Sequence, residues 1–194
     1  MARLKDHWTA EGAPIANGLR PGVGAEDLDE AERHLRFPLP TEVRDWFMSH
    51  NGVANISLFS PATFPNWTAP FGLGSTLERR DELLTEKYAL PELLSEDQVF
   101  RTTWLPIGIS NNIHTVVDCR NALTDPELPA PIHVIIPGSD RSWDEVYMPS
   151  LAAMLEAWLQ LCELGAWYYD VEDNNWDERY ELFPDKFKGN PALR

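Results

Sequence analysis

Three runs rich in β-branched residues, Trp104 to Ile109, Ile113 to Cys119 and Ile132 to Ile136, dominate the middle of the chain, each five to seven residues long. Runs of that length and composition read as strands. Only Asn111-Asn112 and a few flanking residues separate the first two. Asparagine tolerates the positive φ of a tight hairpin turn, so these two strands must lie antiparallel. Gly138-Ser139-Asp140 then turns the chain toward another short run, Trp143 to Met148. The centre of the fold is therefore predicted to be a meander.

Helical spacing occupies the flanks. Leu4, His7 and Trp8 suit a short first helix ending near Gly12. Ala25 to Leu35 places Leu28, Ala31 and Leu35 on one face, with Glu26 and Asp27 in the first turn, where the helix dipole favours them. Pro38 and Pro40 stop that helix, and Thr41 is expected to cap the next, whose Val43, Trp46 and Phe47 face inward before Asn51-Gly52. Ile56 to Phe59 reads as a short strand, and Pro61 to Gly74 as a loop. Ser75-Thr76-Leu77-Glu78 fits a capping box opening a surface helix to about Leu90. After the strands, Ser150 caps the best helix of the chain, with Leu151, Met154, Leu155, Trp158 and Cys162 as its stripe and Gly165 at the left-handed C-terminal position. One more strand is expected over Ala166 to Val171. Helices, then a meander, then a helix define an α+β single domain, an antiparallel sheet flanked by helices.

At 194 residues the chain can bury roughly 70% of its unfolded surface, enough for a core without staples. No apolar run approaches the ~18 residues that a bilayer demands, and the first residues lack a signal peptide's apolar stretch. Cys119 and Cys162 form no Cys-x-x-Cys pair and lie in apolar segments, so they read as buried thiols of a cytoplasmic protein. Thirty-one acids against sixteen bases give a net charge of −15. Asp140 to Asp185 holds twelve acids and two bases, which is two thirds of the excess. Such a surface repels nucleic acid and anionic membranes and attracts a basic protein partner.

A search for chemistry returns little. The five histidines are scattered, which argues against a metal site, although His114 and His133 lie on strands that could be neighbours. Gly22-Val23-Gly24 and Gly72-Leu73-Gly74 lack the residues that complete a phosphate-binding loop, and no Gly-x-Ser-x-Gly elbow exists. Asp144-Glu145 and Glu172-Asp173 sit near tryptophans, as in a glycosidase cleft, but acids are too frequent here for adjacency to carry weight. No catalytic, metal or cofactor-binding residues are assigned, and no cofactor is expected. Of eight tryptophans, Trp8, Trp46, Trp104 and Trp158 are expected in the core. Trp67, Trp143, Trp167 and Trp176, with Tyr168 and Tyr169, lie beside polar residues. They are candidates either for a partner surface, where Trp and Tyr are favoured, or for covering the sheet.

Leu19-Arg20-Pro21-Gly22, Ala25 to Glu32, Leu39-Pro40 with Thr41 to Phe47, and His50-Asn51-Gly52 together resemble the opening motif of the SUKH superfamily, which includes Smi/Knr regulators of fungal cell-wall assembly and many bacterial proteins. Trp104-Leu105-Pro106-Ile107-Gly108, the Val116-Val117-Asp118 strand end and the helix Ser150 to Leu159 look like its later landmarks, in order. The resemblance covers about residues 1–165, leaving 166–194 as an acidic, aromatic-rich extension expected to pack on the same domain. A glycine that often follows the first long helix in the family is here Arg36.

Membership implies binding without catalysis. Bacterial members resembling this chain are immunity proteins that neutralise contact-delivered toxins, often nucleases, and fungal relatives are regulatory scaffolds. The leading expectation is a monomeric immunity protein occluding a basic toxin domain. Asp140, Asp144, Glu145, Asp170, Glu172, Asp173, Asp177 and Glu178 would steer the partner, and Trp143, Trp167, Tyr168, Tyr169 and Trp176 would anchor it; the Pro61 to Gly74 loop with its Trp67 offers an alternative face. The alternative is a scaffold that binds a cellular enzyme.

Overall fold

The computed structural model describes residues 1–54, 69–89, 98–110, 112–136 and 142–190. The expected strand at 56–59, most of the loop from 61 with Trp67, residue Asn111 and the turn with Asp140 lie outside them. Helices α1 (Ala2–Ala10), α2 (Ile15–Gly18), α3 (Ala25–Leu35) and α4 (Thr41–Ser49) come first. Strand β1 (Ala69–Pro70) and helix α5 (Leu73–Ala89) lead into β2 (Trp104–Ser110), β3 (Ile113–Asp118) and β4 (Ile132–Ile135). Helix α6 (Leu151–Glu163) and a hairpin of β5 (Trp167–Asp170) and β6 (Asn175–Glu178) follow. Strands β1 to β4 form one antiparallel sheet in sequence order, so the α+β reading and its meander hold. Asn112 takes φ 67° in the β2–β3 turn.

Both faces of the sheet are covered, and alternation along the strands feeds two clusters. Leu105, Val117, Ile132 and Val134 join the large core under the helices, with Trp8, Leu28, Phe47, Met154 and Trp158. Trp104, Val116 and Ile135 point the other way, into a smaller cluster with Leu83 of α5, Phe100 and Trp143. Helix α5 is therefore half-embedded, contrary to its expected surface position. It starts at Leu73 and not at Ser75, because the Asn51 side chain accepts from the Leu73 N–H at 2.7 Å. Thr76 is buried and donates to the Pro106 carbonyl beside the irregularity in the β2 register.

The opening motif is a set of close approaches. Val23 N–H donates to Phe47 O, Arg20 N–H to Gly52 O and Asn51 N–H to Arg20 O, which lashes the turn to the end of α4. A Cβ on Gly22 would stand 1.7 Å from the Met48 carbonyl oxygen, so no other residue fits there. A Cβ on Gly52, at φ 71°, would stand 2.4 Å from the Gly72 backbone nitrogen. Arg36 adopts the left-handed C-cap conformation (φ 64°) that glycine would supply in the family, and its N–H bonds Glu32 O. Thr41 does not cap α4. Pro40 is the N-cap, and the Thr41 hydroxyl donates to Glu127. Ser150 caps α6 as expected, accepting from Ala153 N–H at 2.9 Å. Trp143 to Met148 forms only one bridge, Ile132 to Met148, and no strand.

Glu42 of α4 joins the two halves of the chain. Its carboxylate accepts from Ala130 N–H at 2.6 Å, just before β4, and from Ala152 N–H at 2.8 Å, in the first turn of α6. Replacing Glu42 by Ala leaves the part-buried Ala130 donor unpaired and hands the exposed Ala152 donor to water, and is expected to cost about 2 kcal/mol in urea denaturation, within the ~1.5–3 kcal/mol of a hydrogen bond to a charged group. A loss below about 0.5 kcal/mol, the scale of an ordinary surface substitution, would contradict the clamp.

His50 and His114 are fully buried, and burial is the main cause that lowers both to about 4. Unfolding returns each to about 6.5. The unfolded chain therefore binds more protons between those values, and each histidine removes about 1.4 kcal/mol of stability per unit as pH falls through that window. Urea midpoints measured from neutral pH downward should fall accordingly, and a flat profile would show that these rings are not held neutral.

Candidate functional site

Strand pairing sets Trp104 opposite Asp118 and Val116 opposite His133, so all four side chains share the second face of the sheet. Where the small cluster ends, at the open ends of these strands, the chain forms a polar cleft of about 770 Å³. Asp118 and His133 line its floor, and Arg101, Arg120, Asp144 and Val146 are among its walls. Asp118 is 4% exposed and well held. Its Oδ1 accepts from the Thr103 hydroxyl at 3.0 Å and from Arg120 N–H at 2.9 Å, and its Oδ2 accepts from Arg120 Nη2 at 2.7 Å. Arg101 forks onto Asp144 through Nε (3.2 Å) and Nη2 (2.5 Å), which ties the approach to β2 to the segment after residue 142.

His133 is fixed by its surroundings. The ring stacks on Trp104, centroids 4.8 Å apart and planes 26° from parallel. Its Nδ1 lies 3.0 Å from the Glu145 carbonyl oxygen, which can only accept, so Nδ1 carries the proton. In the neutral ring Nε2 then keeps its lone pair, 4.0 Å from Asp118 Oδ2 and, among the described residues, without a hydrogen-bond partner. Burial lowers the His133 pKa, opposed most strongly by the Asp118 carboxylate. Burial also pushes both thiols up, Cys162 to about 12, which leaves neither as a ready nucleophile. Among the described residues no three His, Cys, Asp or Glu side chains gather as a metal site requires.

The second feature is the β5–β6 hairpin. Trp167 (1% exposed), Tyr169 (6%) and Trp176 (1%) belong to the main core, with Tyr169 against Trp176 at 5.5 Å and Trp167 between Trp158 and Phe183. Trp143 is buried in the smaller cluster. The expectation that these four rings stand ready as surface anchors is corrected: each covers a sheet face or a helix, where its apolar area is already desolvated. Trp8, Trp46, Trp104 and Trp158 are buried as expected. Trp67 and Asp140 lie outside the described residues.

The acids go the other way. Glu172, Asp173, Asp177 and Glu178 are exposed and Asp170 is half-buried, so five carboxylates and no base occupy the nine residues from Asp170 to Glu178. Asp170 Oδ1 accepts from the N–H groups of Glu172 and Asp173 and shapes the turn, with Asn174 at φ 51°. Tyr168 pairs across the strands with Asp177, donates its hydroxyl to it at 2.8 Å and lies under the Arg179 guanidinium. The Glu178 N–H, followed by the Tyr168 hydroxyl, holds the Asp177 carboxyl below its ordinary range. Asp144 and Glu145 lie apart from the hairpin in sequence: Asp144 lines the cleft, and Glu145 accepts from the Tyr147 hydroxyl.

Glycine-tight turns, a meander buried on both faces and a closing amphipathic helix define an α+β domain whose regular positions are architectural and whose polar features are a cleft and a charged hairpin. The chain belongs to the SMI1 / KNR4 family (SUKH-1), which it matches over residues 22–161. No curated protein matches it. The match runs from Gly22 of the turn into the last part of α6, and the acidic hairpin follows it. Among the described residues no helix is long and apolar enough to cross a membrane.

The buried role of the hairpin indoles is open to measurement. Trp176→Ala is expected to cost about 3–5 kcal/mol, as for other large-to-small core changes. Asp173→Asn, at the exposed turn, should change stability by less than about 0.5 kcal/mol. Equal effects on the urea midpoint would reverse the assignment of inside and outside.

Proposed function

We propose that this domain is a non-catalytic, protein-binding immunity protein of a bacterial cytosol, and that it holds a basic toxin domain against its acidic hairpin. The observation that carries this reading is the hairpin's division of labour. Trp167, Tyr169 and Trp176 fix it to the core, Asp170 and Asp177 stand on the opposite face, Glu172 and Asp173 sit at the exposed turn, and Glu178 is exposed at the strand end opposite Trp167. Preorganised charge loses little entropy on binding and speeds encounter with a cationic surface. A nuclease keeps a basic groove for phosphates, and a rigid row of carboxylates can fill that groove and shut it. With the indoles inside, the contact area comes from Tyr168, the exposed Val171 at the tip (68% exposed) and Tyr180 beyond β6.

The test is co-expression with the toxin domain encoded beside the gene, together with binding kinetics. Wild-type protein should protect the cells, and the association rate should fall steeply with added salt. Glu172→Gln combined with Asp173→Asn should slow association roughly tenfold and leave dissociation little changed, as rim charges do. Val171→Ala should act mainly on dissociation. Binding indifferent to salt would remove the electrostatic basis of the reading. Failure to protect, with capture of a cellular enzyme through the same hairpin, would point to a regulatory scaffold instead.

A further inference from the structure

The hairpin does not account for the cleft at the strand ends. Two acceptors converge on its floor, the lone pair of His133 Nε2 and Asp118 Oδ2, 4.0 Å apart, and among the described residues no donor stands between them. Both side chains are more than nine-tenths buried. We infer that this cleft seats a primary alkylammonium group, of which a lysine side chain is the commonest protein form.

Geometry selects the ligand. A single donor nitrogen can sit about 3 Å from both acceptors at this separation, and an ammonium carries three N–H bonds to spend on them. A guanidinium presents its donors in a flat, rigid fork matched to the two oxygens of one carboxylate, which is how Arg101 already meets Asp144. An anion at the floor would face a lone pair and a carboxylate, with the Asp144 carboxylate nearby on the wall. Arg120 and Arg101 do not reverse this balance, because Asp118 and Asp144 pair with them and Arg120 is 64% exposed at its side chain. The walls suit a hydrocarbon stem. Pro131 and Val146, the latter 53% exposed, line the way in, and a four-carbon chain can lie along them with its head at the floor. The Trp104 stack and the Nδ1–H bond to Glu145 O keep the imidazole from turning its protonated nitrogen toward the ligand. The inference stands on the cleft's own groups and does not depend on the hairpin.

Uniformly ¹⁵N-labelled full-length protein at neutral pH tests it, with His133 read directly in long-range ¹H–¹⁵N spectra of the ring. Nε2 should appear as the unprotonated nitrogen. Titration with n-butylammonium chloride should shift it saturably, and sodium chloride at matched ionic strength should not. Asp118→Asn should weaken the apparent affinity roughly tenfold, the loss of one charge-assisted bond. His133→Phe, which keeps the stack on Trp104, should weaken binding as followed on the Thr103 amide. A blocked pentapeptide with one central lysine, compared with spermidine, separates the sources: tighter peptide binding assigns a protein lysine, and tighter spermidine binding assigns a free amine. A protonated Nε2, a shift produced by inorganic phosphate or guanidinium in place of the amine, or the absence of saturation in the wild-type protein would overturn the inference without touching the hairpin.

Discussion

The carboxylate of Glu42 is the point through which the two halves of this molecule are held in register. The helices before it and the sheet after it come from separate parts of the chain, and hydrophobic burial alone is non-directional. Two short hydrogen bonds from one side chain, to Ala130 N–H and Ala152 N–H, specify where β4 begins and where α6 starts relative to α4. The Ala152 donor is one of the N–H groups that every helix leaves unpaired in its first turn, so the contact also favours a negative charge at the positive end of α6. Because α6 in turn packs on Trp167, the hairpin inherits its position from that clamp.

A second consequence of the same framework is the asymmetry of the sheet. Its first face shares the large core with helices α1 to α4 and α6 and with the hairpin. Among the described residues its second is closed by α5, Phe100 and Trp143. Polar side chains on the second face therefore have to be paired with one another. Arg79 reaches His114, Arg80 reaches the Thr102 carbonyl, and Asp118 collects Thr103 and Arg120. His133 alone among these ends on a nitrogen that faces a second acceptor. The chemistry of the cleft follows from which strand residues fall on that face.

Much of this was legible in the sequence, for identifiable reasons. Strands 104–110, 113–118 and 132–135 announce themselves by β-branched content, α3 and α6 by unbroken 3.6-residue spacing, and α6 also by its Ser150 cap. The start of α5 was not legible, because its capping group comes from Asn51, far away in sequence, and local patterns carry no such information. The choice between a partner surface and a cover for the sheet was not legible for the tryptophans near acids, for a related reason. In a two-stranded hairpin Trp167 and Tyr169 alternate with Tyr168 and Asp170, so an aromatic and an acid can be adjacent in sequence and on opposite faces in space. Recognising Asn175 to Glu178 as the partner strand would have exposed that alternation, but four residues rich in Asn and acid give no strand signal. Asp118 was visible as the end of a strand, whereas its neighbour His133 becomes significant only through register.

The acidity of the chain gains meaning from that alternation. Five like charges within nine residues repel one another and would extend a free peptide. Here the repulsion is opposed by about two indoles and a phenol sunk into the core, each a large apolar side chain whose burial contributes on the order of 2–3 kcal/mol. The hairpin is therefore held together from beneath, by buried residues, while its outer face is left with charges that have little to gain from one another. A cation brought against that face relieves the repulsion as well as forming its own contacts. This gives a physical reason for the acids and the tryptophans to occur together, although only the acids are at the surface.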